Sequence, residues 1–329
     1  MTKDQLITEK YAIYNSDCMY ILPELKDKSI DLSVYSPPFA GLYNYSSSPN
    51  DFSNNDSKEK FLDQYEMLIK EISRLTKDGR ITAVHCQDIM NSKTGTLWDF
   101  PHEIKRIHAK YDFAHRCTVT IWKEPLKVRL RTMVKSLMHK LIIEDSTETF
   151  PSMPDYLLIF KKNGECATKV THEFGLLNYA GERPFLENHI ETYGDYKEFK
   201  KKWINFKGDP RENKLSHVTW QRYASSVWDD IRIDNVLPFK ESKDEDDEKH
   251  VHPLQLDVID RVVELYSNPN EVVLTPFMGV GSEVFSPVSF GRKSIGIELK
   301  ESYYKQAILN LRDAENRFKN KNTEEILFT

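Results

Sequence analysis

Short runs of β-branched and apolar residues alternate with longer stretches of helical periodicity along most of this 329-residue chain. A strand that returns parallel to its neighbour needs a crossover of a dozen or more residues, and a helix usually supplies it. The alternation therefore predicts an α/β architecture around a mainly parallel sheet. The strand candidates are YAIYNSD (11–17), IDLSVYS (30–36), GRITAVHCQ (79–87), RCTVTIW (116–122), YLLIFKK (156–162), EVVLTPF (271–277) and KSIGIEL (293–299), enough for one seven-stranded open sheet. Between them, SKEKFLDQYEMLIKEISRLT (57–76) places Phe61, Tyr65, Leu68, Ile69 and Ile72 at helical spacings. HPLQLDVIDRVVELYS (252–267) is similar and stops at Asn268-Pro269. The rhythm breaks from 163 to 250, a stretch rich in Tyr, Trp, Phe, Lys and Glu that reads as an inserted smaller domain or extended loops.

Composition narrows the function classes. No run of about 18 apolar residues exists to cross a membrane as a helix, and MTKDQLITEKYAIYNSDC lacks the apolar stretch of a signal peptide. Cys18, Cys86, Cys117 and Cys166 lie far apart, with no metal-ligand or disulfide spacing, so no metal is expected and the compartment reads as reducing and cytoplasmic. The net charge of −5 leaves nucleic acid open, because a local basic stripe is what counts there. KEPLKVRLRTMVKSLMHK (123–140) offers such a stripe through Lys127, Arg129, Arg131 and Lys135. KESKDEDDEKH (240–250) is the opposite, a charge run expected in an exposed loop or linker.

Two stretches carry chemistry. In EVVLTPFMGVGSEVF a strand is followed by Thr275-Pro276-Phe277 and then by Gly279-x-Gly281. A glycine-rich turn after a strand lets a ligand approach the backbone at the strand's carboxyl end. Glu298 closes the next strand 19 residues after Gly279, where an acid can accept hydrogen bonds from both ribose hydroxyls. The dinucleotide fingerprint would place a third small residue where Val284 stands. A cofactor with a ribose and a base but no phosphate, S-adenosylmethionine, fits better.

In SVYSPPFAGLYNY a strand is halted by Ser36-Pro37-Pro38-Phe39. Proline donates no backbone hydrogen bond and keeps the residue before it extended, so two in succession make a stiff corner with free carbonyl oxygens. The Ser36 hydroxyl oxygen and the Pro37 carbonyl suit the two hydrogens of a nucleobase's exocyclic amine, and Phe39 suits its ring. Such an amine is a poor nucleophile while its lone pair is delocalised. Two acceptors favour the pyramidal nitrogen that can attack a sulfonium methyl.

With both motifs in one chain, the sequence resembles the β class of amino-methylating DNA methyltransferases, whose catalytic [DNS]-PP-[YF] tetrapeptide precedes the cofactor motif in a circular permutation of the usual order. The resemblance covers about 1–162 and 250–312. It implies a Rossmann-like, circularly permuted fold that uses S-adenosyl-L-methionine, with 1–162 as the catalytic part of the core and 251–329 as the cofactor-binding part. Asp17 matches the acid that contacts the cofactor's adenine, His252-Pro253 opens the helix at its methionine end, and Phe277 flanks it. Thr275, Pro276, Gly279, Gly281 and Ser282 form the cofactor loop, and Glu298 matches the ribose-binding acid. The family usually has Asp where this chain has Thr275.

Within that family Ser-Pro-Pro-Tyr/Phe tends to mark cytosine-N4 enzymes and Asp or Asn tends to mark adenine-N6 enzymes, so cytosine N4 is favoured with adenine N6 as the alternative. Cytosine C5 chemistry needs a cysteine, typically after proline, and no Pro-Cys occurs here. Region 163–250 would read the target on double-stranded DNA, with Trp203, Trp220, Arg222, Tyr223 and Trp228 either contacting DNA or forming that region's small core. The basic stretch would lie on the phosphates. The resemblance brings two further partners into view: a second copy of the chain and a cognate restriction enzyme. The rival readings are a non-catalytic DNA-binding protein on the same scaffold and a methyltransferase acting on RNA or a protein amide.

Overall fold

A computed structural model describes residues 2–38, 57–90, 96–132, 137–242 and 253–327, with side chains described except at 131–132, 241 and 315–327. A hairpin of β1 (Asp4–Ile7) and β2 (Tyr11–Asn15) leads through α1 (Cys18–Ile21) to β3 (Ile30–Tyr35). Then come α2 (Lys58–Leu75), β4 (Thr76–Cys86), a small ribbon of β5 (Ile89–Met90) and β6 (Leu97–Trp98), α3 (Phe100–Lys110) and β7 (Phe113–Ile121). Two short helices, α4 (Pro125–Thr132) and α5 (His139–Glu144), precede β8 (Asp155–Lys162). The next stretch holds α6 (Glu187–Tyr193), α7 (Tyr196–Trp203), α8 (Lys214–Tyr223) and β9 (Val227–Trp228). The chain closes with α9 (Leu256–Tyr266), β10 (Val272–Thr275), α10 (Ser282–Ser289), β11 (Lys293–Glu298) and α11 (Glu301–Leu327).

The main sheet runs β1-β2-β11-β10-β3-β4-β8-β7-β9. Strands β2, β11, β10, β3 and β4 are parallel, and β8 lies antiparallel between β4 and β7. All seven expected strands are present. The two additional ones lie at the edges, where pairing with one neighbour needs little apolar signal. β1 is a mostly exposed DQLI segment paired with β2, and β9 has two residues beside β7.

Helices cover both faces because successive strand residues point to opposite sides. Along β8, Leu158 and Phe160 pack with Phe61, Tyr65, Leu68 and Ile72 of α2 and with Phe100 and Ile104 of α3. Leu157 and Ile159 pack instead with Val258, Ile259 and Val262 of α9. A third cluster joins α10 and α11 to Tyr11 and Ile13 of β2. Helix α2 starts where the Ser57 hydroxyl accepts from the Lys60 N–H, and α3 where Asp99 accepts from the His102 N–H ahead of a first turn holding Pro101. Among the described residues no helix is long and apolar enough to cross a membrane.

Strand β10 leads through α10 to β11 on one side, while its neighbour β3 leads through α2 to β4 on the other. Their carboxyl ends thus flank a topological switch point, where open α/β sheets form a crevice. The buried Asp31 carboxylate joins the pair by accepting from the Val272 N–H at 3.0 Å.

The stretch after β8 has a small core of its own, with Phe199, Leu215 and Val218 packed against Phe185, Tyr196 and Trp203. It is also clamped to α9. Fully buried Arg261 donates to the Ala180 carbonyl at 2.8 Å and to Asp230 at 2.6 Å, with its guanidinium over the rings of Tyr223 and Trp228. Arg222, from α8, pairs with the same Asp230 at 3.1 Å. Removing one partner of a buried ion pair leaves an uncompensated charge, which costs about 3–5 kcal/mol. Arg261→Ala is expected to lose that much in urea denaturation, and a loss under about 1 kcal/mol would mean the clamp carries little of the attachment.

Candidate active site

Strand register assembles the first half of the site. Tyr35 pairs with Val84 across β3 and β4, so Ser36 falls beside His85. Cys86 pairs with Tyr156 and Ile121 with Asp155, which brings the start of β8 and the end of β7 to the same edge. Ser36 Oγ lies 2.9 Å from His85 Nδ1 and 3.2 Å from the His85 carbonyl oxygen. His85 Nε2 lies 3.0 Å from Asp155 Oδ2, and Lys123 Nζ lies 2.5 Å from the other Asp155 oxygen. Burial alone would push the Asp155 carboxyl up. The Lys123 ammonium and His85 outweigh it and hold Asp155 well below the usual carboxylate range. Ser36 and Pro38 are half-buried and Pro37 is buried.

The second half lies at the ends of β10, β11 and β2. Gly279 takes a positive φ of 53°, and a side chain there would meet nothing within 4 Å, so the backbone lies open on that side. Glu298 is held by two main-chain donors, the N–H groups of Gly279 at 2.8 Å and Lys300 at 2.7 Å. The Glu298 carbonyl accepts from the Ser16 N–H and from the Asn15 side chain, which ties the end of β11 to the start of the Asp17 turn. Asp17 caps α1 by accepting from the Met19 N–H at 2.8 Å. Thr275 Oγ1 and Ser282 Oγ are buried, with no protein hydrogen-bond partner. Beside the open backbone at Gly279, they fit a site that takes a polar cofactor.

One packing detail corrects the sequence argument about Val284. A Cβ on Gly296 of β11 would sit 2.6 Å from Val284 Cγ2 and 2.6 Å from Met278 Sδ. The room that a small residue at 284 would give is supplied from the strand, so Val284 does not by itself disfavour a dinucleotide. The two halves of the site meet where the Tyr35 and Phe277 rings pack edge to face, 6.1 Å between centroids.

Residues 30–309 match the family model described as DNA methylase, the N6/N4 methyltransferases, over most of the chain. The chain belongs to this family. The Type II methyltransferase M1.MboII of Moraxella bovis is 23% identical over 310 residues, covering 92% of this chain and 97% of its own. Among solved structures, the putative DNA modification methylase TTHA0409 of Thermus thermophilus in complex with S-adenosyl-L-methionine has a TM-score of 0.58 at 18% identity, with 93% of this chain and 95% of that one covered. The cytosine-N4-specific PvuII DNA methyltransferase also has a TM-score of 0.58, at 12% identity, with 97% of each chain covered.

In this DNA methylase Ser36, Pro37 and Pro38 follow the end of β3, Thr275, Pro276, Phe277, Gly279, Gly281 and Ser282 run from the end of β10 into α10, and Glu298 ends β11, so all lie at the carboxyl edge of neighbouring parallel strands. Phe39, His252 and Lys135 lie outside the described residues, and Pro253 is half-buried ahead of α9. Lys127 and Arg129 are on α4, where exposed Lys127 faces Asp234 at 3.5 Å, and Arg131 follows on the same helix. Of the residues offered as DNA contacts or core, Arg222, Tyr223 and Trp228 are buried and Trp203 is packed in the small core, which leaves Trp220 exposed. Sequence reasoning passed over Asp155 and Lys123 and gave His85 no role. The signal for His85 was its place at the end of a strand candidate, beside the halted one.

A further carboxyl lies in this half of the site. Burial, with the charge of Glu298 adding to it, pushes buried Glu283 of α10 from 4.5 to about 8. The unfolded chain releases this proton near the ordinary value and the folded chain keeps it, so stability falls as pH rises through that window. Glu283→Gln should therefore lose roughly 2 kcal/mol less than the wild type between about pH 5.5 and about pH 7.5. Urea titrations at both values test this, and parallel losses in the two proteins would refute it.

Proposed function

We propose that this DNA methylase methylates cytosine N4, on a base flipped out of duplex DNA into the Ser36 corner. The methyl donor is S-adenosyl-L-methionine. When bound, it presents an electrophilic methyl on a sulfonium that leaves without acid assistance. Thr275, Phe277, Gly279, Ser282 and Glu298 would hold it, with Asp17 toward the adenine. The observation that carries the reading is the position of Ser36 at the switch point, with Tyr35 packed against Phe277 of the cofactor loop.

The protein's part in the chemistry is position and electrostatic complementarity. The Ser36 oxygen and the Pro37 carbonyl would accept the two amine hydrogens and free the nitrogen lone pair to take the methyl in line as its carbon–sulfur bond breaks. The methylated nitrogen would then release one of those hydrogens as a proton to solvent. Phe39 stacks on the flipped base, which must leave the duplex to reach this depth. Region 163–250 reads the target sequence, while Lys127, Arg129, Arg131 and Lys135 run along the phosphates and give binding its salt dependence. The motif order, Ser36-Pro37-Pro38-Phe39 ahead of the cofactor loop, is read as the permuted order of the β class. A cognate endonuclease and a second copy of the chain are the protein partners this reading suggests.

Nucleoside mass spectrometry on duplex DNA incubated with the enzyme and S-adenosyl-L-methionine tests the proposal. N4-methylcytosine is expected, with Ser36→Ala slower by about a hundredfold while its cofactor affinity holds. N6-methyladenine in its place would move the target to adenine, whose amine asks for the same two acceptors. No methylated nucleoside over a varied DNA set would count against the proposal and turn the search to RNA or protein amides, or to a binder without turnover.

A further inference from the structure

We propose that His85 is a positioning residue that turns the Ser36 hydroxyl into a hydrogen-bond acceptor toward the substrate amine, with its own tautomer set by Asp155. This rests on the reading of Ser36 as an amine acceptor. A serine hydroxyl is both donor and acceptor, unlike the carboxylate that other family members carry at this place. A hydroxyl that aimed its hydrogen at the amine nitrogen would engage the lone pair that has to attack. Something must direct that hydrogen elsewhere.

Among the described residues Ser36 Oγ meets His85 at Nδ1 (2.9 Å) and can also donate to its main-chain carbonyl, at the longer distance of 3.2 Å. Asp155 is ionised and can only accept, so the Nε2–H tautomer is the one this pair favours, with Nε2 3.0 Å from Oδ2 though off the line of a good hydrogen bond. That leaves the Nδ1 lone pair facing Ser36, whose hydrogen goes there while the oxygen's lone pairs stay free. Lys123 occupies the second Asp155 oxygen and balances its charge, so the imidazole is not needed as a cation. The Lys123, His85 and Asp155 side chains are each no more than 10% exposed, which limits exchange of these bonds with water. The four residues come from the ends of β3, β4 and β7 and the start of β8, so the register of the sheet itself sets their geometry.

The first test is nitrogen NMR of the wild-type protein with labelled histidine. The Nε2–H tautomer of His85 is expected, and Asp155→Asn should shift it toward Nδ1–H. The second is kinetic: His85→Ala and Asp155→Asn should each lower kcat roughly ten- to hundredfold with cofactor affinity close to wild type, while Asp155→Asn, which strands buried Lys123, should also lower the melting temperature. Introduced into Ser36→Asp, whose acceptor has no hydrogen to direct, His85→Ala should cost less than about twofold. Two results would overturn the proposal: an Nδ1–H tautomer in the wild type, or an equal cost of His85→Ala in both backgrounds. The NMR result stands even if Ser36→Asp is inactive. Failure of the Ser36 reading itself would show separately, as unchanged turnover in Ser36→Ala.

Discussion

Two parallel strands that are left in opposite directions open a gap above their carboxyl ends, and nothing in a doubly wound sheet can close it with a short loop. β3 and β10 are such a pair. Their pairing, joined by the Asp31 carboxylate on the Val272 N–H, brings segments more than two hundred residues apart in sequence to one crevice. The corner that follows β3 and the glycine turn that follows β10 then have one place to meet. Tyr35 against Phe277 is the contact through which they do.

Around this pair, the same parallel order dictates how main-chain groups are satisfied. Glu298 stands at the end of β11, and its carboxylate collects the Gly279 and Lys300 N–H groups. These two bonds from the main chain fix its position. Fixing the acid also fixes the turn, because Gly279 is held to it and its open side is left facing outward. On the helix side, Val284 reaches over Gly296, so closeness between helix and strand is achieved with the glycine on the strand. Rules about glycine spacing describe space, and space can be made from either partner.

Much of this was legible in the chain. The apolar spacing that predicts α2 lands Phe61, Tyr65, Leu68, Ile69 and Ile72 fully inside the core. The apolar run YLLIF within β8 marks a strand covered on both faces, whereas β3 is buried throughout with Asp31 and Ser33 inside it. Both motif halves of the site fall at strand ends, as periodicity and proline placement imply. The rest depended on partners distant in sequence. β1 opens on two polar residues and is only four residues long, and β9 has only two residues, too few to announce a strand. Arg261 is fully buried on α9, and only the fold supplies Asp230 and the Tyr223 and Trp228 rings that let it stay there. His85 looked like any strand histidine until register placed Ser36 on one of its ring nitrogens and Asp155 on the other. Lys123 read as part of a basic surface stripe, yet it is the buried partner of Asp155.

The choice of serine over a carboxylate at position 36 explains why such a buried charged pair is retained. A buried ion pair seldom adds net stability, because desolvation offsets its attraction. Its retention at the substrate edge therefore calls for a reason other than stability. A carboxylate at this corner would accept in any orientation and would carry its own charge toward the amine. A hydroxyl has neither property, and its usefulness as an acceptor depends on where its hydrogen goes. Asp155 and Lys123 supply, at the distance of one imidazole, the directionality that the hydroxyl lacks, and they do so without adding net charge. With Glu283 holding its proton near neutral pH and Ser36 uncharged, Asp17 and Glu298 are the carboxylates placed at the cofactor's end of the crevice. On the proposed reading, the amine would meet neutral acceptors whose orientation the sheet has already set.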